Sequence, residues 1–360
     1  MLAPLEYLRW YRNRSGVDHD LGGTDLRTDP PDRSRIVPEA LSGVGDPPDD
    51  QGAVSLLAAE YGVDPGNVVL ASGARHAHLL AVMAALGGAG GEPAALVEAP
   101  AFEPLFKTPA GLGARVDRFA RPAPAFELDP ARIEAALTPE TASVTVTNRH
   151  NPSGYRSEEG ELAAVAEAAA DRGALLISNE VYAPYGSERD EVEGPFGGPT
   201  AAGLPNAIAV GSLTKFHGLG ELRVGWLVVP DDLRERVAGI EMHFPTVGVP
   251  NRLLAARALS ADHLVERARG LVRSNHRLLA EFVADRPDLS ATIHDGASFG
   301  FVAHERASGD EVARAAGEEG LIVIPGGFFG ESGRFRMGLG RDSGETEAAL
   351  ERFGSVLDRL

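Results

Sequence analysis

The chain has 360 residues, 43% of them hydrophobic and 24% charged, with no cysteine and a formal net charge of −18. Such a composition suits a globular protein with a large buried core and excludes a disulfide framework or a cysteine-based zinc site. The acid excess argues against a nucleic-acid or anionic-membrane partner, both of which need a basic face. Only Lys107 and Lys215 are lysines among the 34 basic side chains.

Met1–Asp20 holds no apolar run of signal-peptide length, and nothing later approaches the roughly 18 apolar residues of a membrane span, so a cytoplasmic protein is expected. The first fifty residues, rich in Pro, Gly and Asp, read as an extended arm. From Gly66 onward, short apolar runs predict strands over Val68–Ala71, Ala94–Glu98, Ala114–Phe119, Ser143–Thr147, Ala174–Ser178, Ala207–Gly211 and Val224–Val229. Helical patterns fall between most of them: His76–Leu86, Glu103–Leu112, Pro130–Leu137 and Glu158–Arg172. Strands alternating with helices of that length predict an α/β fold, a mostly parallel sheet covered on both faces. The run Gly87–Gly91 lacks the Lys-Ser/Thr of a phosphate loop and reads as a turn.

After Met242 the rhythm changes. Asn251–Asp285 reads as one nearly unbroken helix, followed by strands near Thr292, Gly300–Ala303, Leu321–Ile324 and Phe335–Gly338 and a closing helix over Glu345–Arg359. The expected organisation is an N-terminal arm (1–50), a large domain (51–245) and a smaller α+β domain (246–360) with which the arm packs.

The most informative segment is Gly211–Trp226, GSLTKFHGLGELRVGW. Lys215 follows an apolar strand, where a lowered pKa lets a lysine form a Schiff base with an aldehyde. Ser212 and Arg223 suit a phosphate: a hydroxyl donor and a permanently charged fork. A lone Ser-x-x-Lys is more often an exposed loop. The Ser-x-x-Lys hydrolase reading lacks its companion motifs, since the nearest match, Lys107-Thr108-Pro109, lies upstream and ends in the wrong residue. Val146–Gly154 and Leu175–Tyr182 each begin as a strand, and the ends of successive parallel strands converge on one crevice. Ser72-Gly73-Ala74-Arg75 joins a strand to a helix, whose free N–H groups and dipole favour an anion.

Taken together, from about Gly52 to the C-terminus, these motifs resemble the class I/II aminotransferases, aspartate-aminotransferase-like pyridoxal-phosphate enzymes of fold-type I. The resemblance implies that Lys215 holds pyridoxal 5′-phosphate and acts as catalytic base and acid. Ser212, Arg223 and the Ser72-Gly73-Ala74-Arg75 turn would hold the phosphate. Asn151 and Tyr182 would bind the phenolic oxygen, Phe102 would stack on the ring, and Arg336, in Leu321–Gly340, would clamp the substrate carboxylate beside Asn151. An α-amino acid, a 2-oxo acid and a second copy of the chain are the implied partners.

Two positions depart from the family pattern. Asn179 stands where the family has the aspartate that keeps the pyridine nitrogen protonated, and Asp46–Gln51 contains no counterpart of the partner-subunit tyrosine. The same cofactor contacts would also serve a lyase, a decarboxylase or a non-catalytic binder. The histidines suggest no metal site: His76 and His78 are two apart on a predicted helix and point to different faces, and His217 suits a structural role at least as well as the pocket.

Overall fold

The protein's structure, a computed structural model, describes residues 2–14, 17–32, 34–186 and 194–360; the ranges expected for the arm and the large domain each contain a few residues outside that set. In chain order the elements are α1 (Glu6–Arg12), β1 (His19–Asp20), α2 (Ala53–Tyr61), β2 (Val68–Ala71), α3 (Ala74–Gly87), β3 (Ala94–Ala99), α4 (Glu103–Gly111) and β4 (Arg115–Ala120). Then come α5 (Pro130–Ala136), β5 (Thr141–Thr147), α6 (Glu159–Ala170), β6 (Leu175–Asn179), β7 (Ala207–Ser212), β8 (Gly225–Val228) and α7 (Arg234–Glu241). The remainder is α8 (Val249–Leu259), α9 (Asp262–Ala284), β9 (Leu289–Ser290), β10 (Phe299–His304), α10 (Gly309–Glu318), β11 (Leu321–Ile322), β12 (Ile324–Pro325), β13 (Arg334–Gly338) and α11 (Ser343–Leu357).

Seven strands form one sheet in the order β2-β8-β7-β6-β5-β3-β4. Only β8 runs antiparallel to its neighbours, because no crossover helix separates it from β7. Both faces of the sheet are covered. Along β6, Leu175 and Ile177 pack with Leu80 and Ala81 of α3, while Leu176 packs with Leu162 and Val165 of α6. This two-residue alternation into two cores explains why the strands read as continuous apolar runs. The order β12-β13-β10-β9 makes a second, antiparallel sheet, packed with α10 and α11. No helix among the described residues is long and apolar enough to cross a membrane.

Four expectations need correction. The first fifty residues are not simply an extended arm: they contain helix α1, and β1 pairs in parallel with β11, His19 opposite Leu321. Helix α1 has no capping side chain of its own at Leu5. The buried Glu103 carboxylate on α4 caps it instead, accepting from the backbone N–H groups of Glu6 (3.1 Å) and Tyr7 (2.8 Å). That support comes from about a hundred residues away and leaves no local signal.

The single helix expected over 251–285 is two, α8 and α9, broken at Ser260-Ala261. The Ser260 hydroxyl bonds back to the Ala256 carbonyl at 2.5 Å, and buried Ala261 leaves helical geometry (φ −101°, ψ 85°). The strand expected near Thr292 lies at Leu289–Ser290, and Leu321–Ile324 divides between two sheets, β11 meeting β1 and β12 meeting β13.

Candidate active site

The register of the large sheet brings three strand ends together. Thr147 ends β5 beside Asn179 at the end of β6, and Ser212 ends β7 two residues past the partner of Asn179. Above them is a cavity of about 190 Å³ lined by Ala74, Arg75, Phe102, Asn151, Asn179, Tyr182, Ser212, Lys215, Arg223 and Arg336. Ten of the twelve residues singled out from sequence thus meet in one space. Ser72 and Gly73 lie behind it: the Ser72 carbonyl accepts from Arg223 Nη2 at 3.1 Å, and a Cβ at Gly73 would come within 2.5 Å of the same nitrogen.

One corner is built for an anion. Helix α3 starts there, its first N–H groups unused by the helical ladder, and Gly73 takes the positive φ of +76° that turns the chain into it. Arg75 and Arg223 crowd the corner. Burial, then Arg223, then Arg12 pull the Arg75 guanidinium down to about 10, so the neighbouring cations repel one another. A bound dianion would relieve that repulsion.

The floor carries a polar atom without a partner. Asn179 Oδ1 is buried and accepts no hydrogen bond in the protein, while the Thr147 hydroxyl beside it turns to the buried Glu98 carboxyl. An unpartnered buried oxygen is costly unless something completes it. Asn151 Oδ1 accepts from Arg336 Nη1 at 2.9 Å, which leaves the amide N–H groups of Asn151 free to donate. Arg336 itself is 2% exposed. Its Nη2 donates to the Gly22 carbonyl (2.6 Å) and the Tyr7 hydroxyl (3.2 Å), and its Nε has no partner.

From the sequence, Phe328, Phe329 and the arm around Tyr7 and Trp10 suggest an apolar or aromatic pocket; of these Tyr7 lines the cavity, and the strap Gly22–Asp25 was missed. Tyr7, Leu8 and Tyr11 of α1 and the strap Gly22-Gly23-Thr24-Asp25 all line the cavity. Lys215 Nζ donates to Thr24 Oγ1 at 3.0 Å, and that hydroxyl lies 2.9 Å from the Tyr182 hydroxyl. Burial would raise the Asp25 carboxyl, but Arg341, Lys215 and Arg27 outweigh it and hold the group at about 2. The available signal was Leu21 and Leu26, apolar residues bracketing Gly-Gly-Thr-Asp and both fully buried. His217 does not face this cavity. It is buried edge-on to Phe196 and Phe216, and burial pushes it down to about 4. Among the described residues no three His, Cys, Asp or Glu side chains gather as a metal site.

The family model of the class I and II aminotransferases matches residues 47–353. The chain belongs to that family. It is 27% identical to capreomycidine synthase of Streptomyces vinaceus, over 73% of this chain and 68% of that protein. It is also 27% identical to the aspartate/prephenate aminotransferase of Thermus thermophilus, over 66% of this chain and 62% of that one. In fold it is similar to a PLP-dependent aminotransferase from Streptococcus suis, with a TM-score of 0.83, 22% identity, and coverage of 99% and 98% of the two chains. As a class I/II aminotransferase the chain is a pyridoxal-phosphate enzyme. The donor set fits that cofactor: an anion corner, a lysine, and the unpartnered amide oxygen of Asn179 on the floor between them.

Proposed function

We propose that the protein moves an amino group from an α-amino acid to a 2-oxo acid, with Lys215 as the residue that holds the cofactor. The observation that carries this reading is the order of groups in one cavity: two arginines at a helix N-terminus, a half-buried lysine, and the buried guanidinium of Arg336. In this reading Arg223, Arg75, Ser212 and the turn Ser72–Ala74 hold the phosphate. Asn151, Tyr182, Asn179 and Phe102 would hold the ring. When bound, the cofactor supplies an electron-accepting ring conjugated to the substrate nitrogen.

The remaining work falls to the side chains. Arg336 would fix the substrate carboxylate as a two-point clamp and so orient the bonds at Cα. Lys215 would take the substrate's Cα proton and return it, as general base and acid. Tyr7, Leu8 and Tyr11 close the cavity against water, which strengthens each of these interactions. We assign the work to a large domain (51–245), a small domain (246–360) and an arm (1–50) that reaches both, in a cytoplasmic homodimer. Exposed Val249 and Leu253 on α8, with Met242, support a self-association face.

Borohydride reduction of the loaded protein and peptide mapping test the assignment: the label is expected on Lys215, and a label on Lys107, the only other lysine, would sink it. Half-reactions across a panel of amino acids, with the 2-oxo acid measured, test the reaction. A second reading, another reaction at the same cofactor such as elimination or decarboxylation, is favoured by one observation. Asn179 presents an uncharged amide where the family pattern calls for a carboxylate.

A further inference from the structure

We infer that Thr24 is the positioning residue of Lys215, the group that holds the lysine amine in place when the cofactor is not bonded to it. The inference rests on the reading of Lys215 as the cofactor-bearing lysine.

Lys215 Nζ donates to Thr24 Oγ1 at 3.0 Å, and Oγ1 lies 2.9 Å from the Tyr182 hydroxyl. The amine also sits 5.8 Å from the centre of the Tyr182 ring. Thr24 therefore bridges the two groups to which the proposed reaction assigns a proton-handling and a cofactor-binding task. Thr24 itself is 1% exposed.

A threonine hydroxyl suits this position chemically. It has one proton and two lone pairs. After accepting from Lys215 it can still donate to the phenol or accept from it, and so follows Tyr182 through either charge state. A carboxylate could only accept, and a valine could do neither.

The hydroxyl is also held in register with the lysine rather than with a mobile arm. The Leu26 N–H donates to the Lys215 carbonyl at 2.9 Å, tying the strap to the lysine segment itself. Gly218, at φ +71°, lets the two backbones meet: a Cβ there would fall 2.0 Å from the Leu26 carbonyl oxygen. The Tyr185 hydroxyl donates to the Thr24 carbonyl at 2.5 Å. On the other side, the Thr24 methyl lies against Gly338, where a Cβ would come within 2.8 Å of it. A β-branched side chain has few χ1 choices, and seating its methyl on Gly338 turns the hydroxyl towards the cavity. A lysine has several rotatable bonds and, once released by the substrate, loses its fixed end. Thr24 gives it a second anchor that does not move with the substrate.

The test compares full-length Thr24→Val and Thr24→Ser with the unaltered protein. Because the chain has two lysines, Lys107 is an internal reference for amine labelling. Before cofactor is added, the ratio of acetylation at Lys215 to that at Lys107 should rise in Thr24→Val, whose lysine has no acceptor, and return most of the way in Thr24→Ser. After loading, the single-turnover proton transfer should slow by roughly tenfold in Thr24→Val, the order expected for one lost hydrogen bond, and kcat should fall with it. KM for the amino acid should stay within about twofold, since Arg336 is untouched. Circular dichroism monitors folding, and Thr24→Ala provides the same loss of hydroxyl if the valine variant does not fold. Labelling ratios and turnover that match the unaltered protein, with the borohydride label still on Lys215, would overturn the inference alone. A borohydride label absent from Lys215 in the unaltered protein would overturn the cofactor assignment and the inference together.

Discussion

Replacing Arg336 tests substrate recognition and can be worked through from the contacts. The guanidinium is 2% exposed and gives three hydrogen bonds, to Asn151 Oδ1, the Gly22 carbonyl and the Tyr7 hydroxyl. Arg336→Ala strands the first two as buried acceptors. At about 1–3 kcal/mol for each unsatisfied buried group, the loss of stability should be about 4 kcal/mol. It would also loosen the strap that carries Thr24. Arg336→Lys is therefore the sharper probe, because it keeps the charge and part of the donor set while removing the planar fork. Its stability loss should be about 1–2 kcal/mol. With the two-point clamp gone, kcat/KM for amino acids should fall on the order of a hundredfold, mostly through KM, while the absorbance of the bound cofactor stays intact. Thermal unfolding and steady-state kinetics on the same preparations separate the two effects. Arg336→Lys protein that stays folded but fails to retain cofactor would refute the reasoning, and so would unchanged kcat/KM.

Two further outcomes follow from single buried groups. Asn179→Asp should speed single-turnover proton removal with little change in substrate affinity, since a carboxylate favours the protonated ring nitrogen and an amide does not; an equal or slower step would show that Asn179 does not serve the ring. Glu180 is pushed up to about 7 by burial, against the opposing hydrogen bonds from Ala201 N and Thr200 Oγ1. Its folded value lies above its ordinary 4.5, so the folded chain keeps a proton that the unfolded chain releases, and stability should fall by about 3 kcal/mol as pH rises through that window. Urea unfolding at several pH values should show this slope vanish in Glu180→Gln; a slope that persists would place the titration elsewhere.

What the sequence by itself determined is what local chemistry can encode. The strands of the large sheet are legible because residues such as Leu175, Leu176 and Ile177 are buried on both faces and cannot be polar. The motifs around Asn151, Asn179 and Lys215 are legible because each sits at the end of such a strand, where parallel topology makes the ends converge. The tertiary structure alone decided the rest. Thr24 meets partners at 182 and 215, Gly22 meets Arg336, and α1 is capped by Glu103. None of these contacts has a periodic or neighbouring signal, so Gly22–Asp25 looks like linker until the fold lays it across the lysine. The break at Ser260-Ala261 and the division of 321–325 between two sheets have the same origin. Each is a local conformation chosen by burial against distant elements, which outweighs the weak preference of the segment itself.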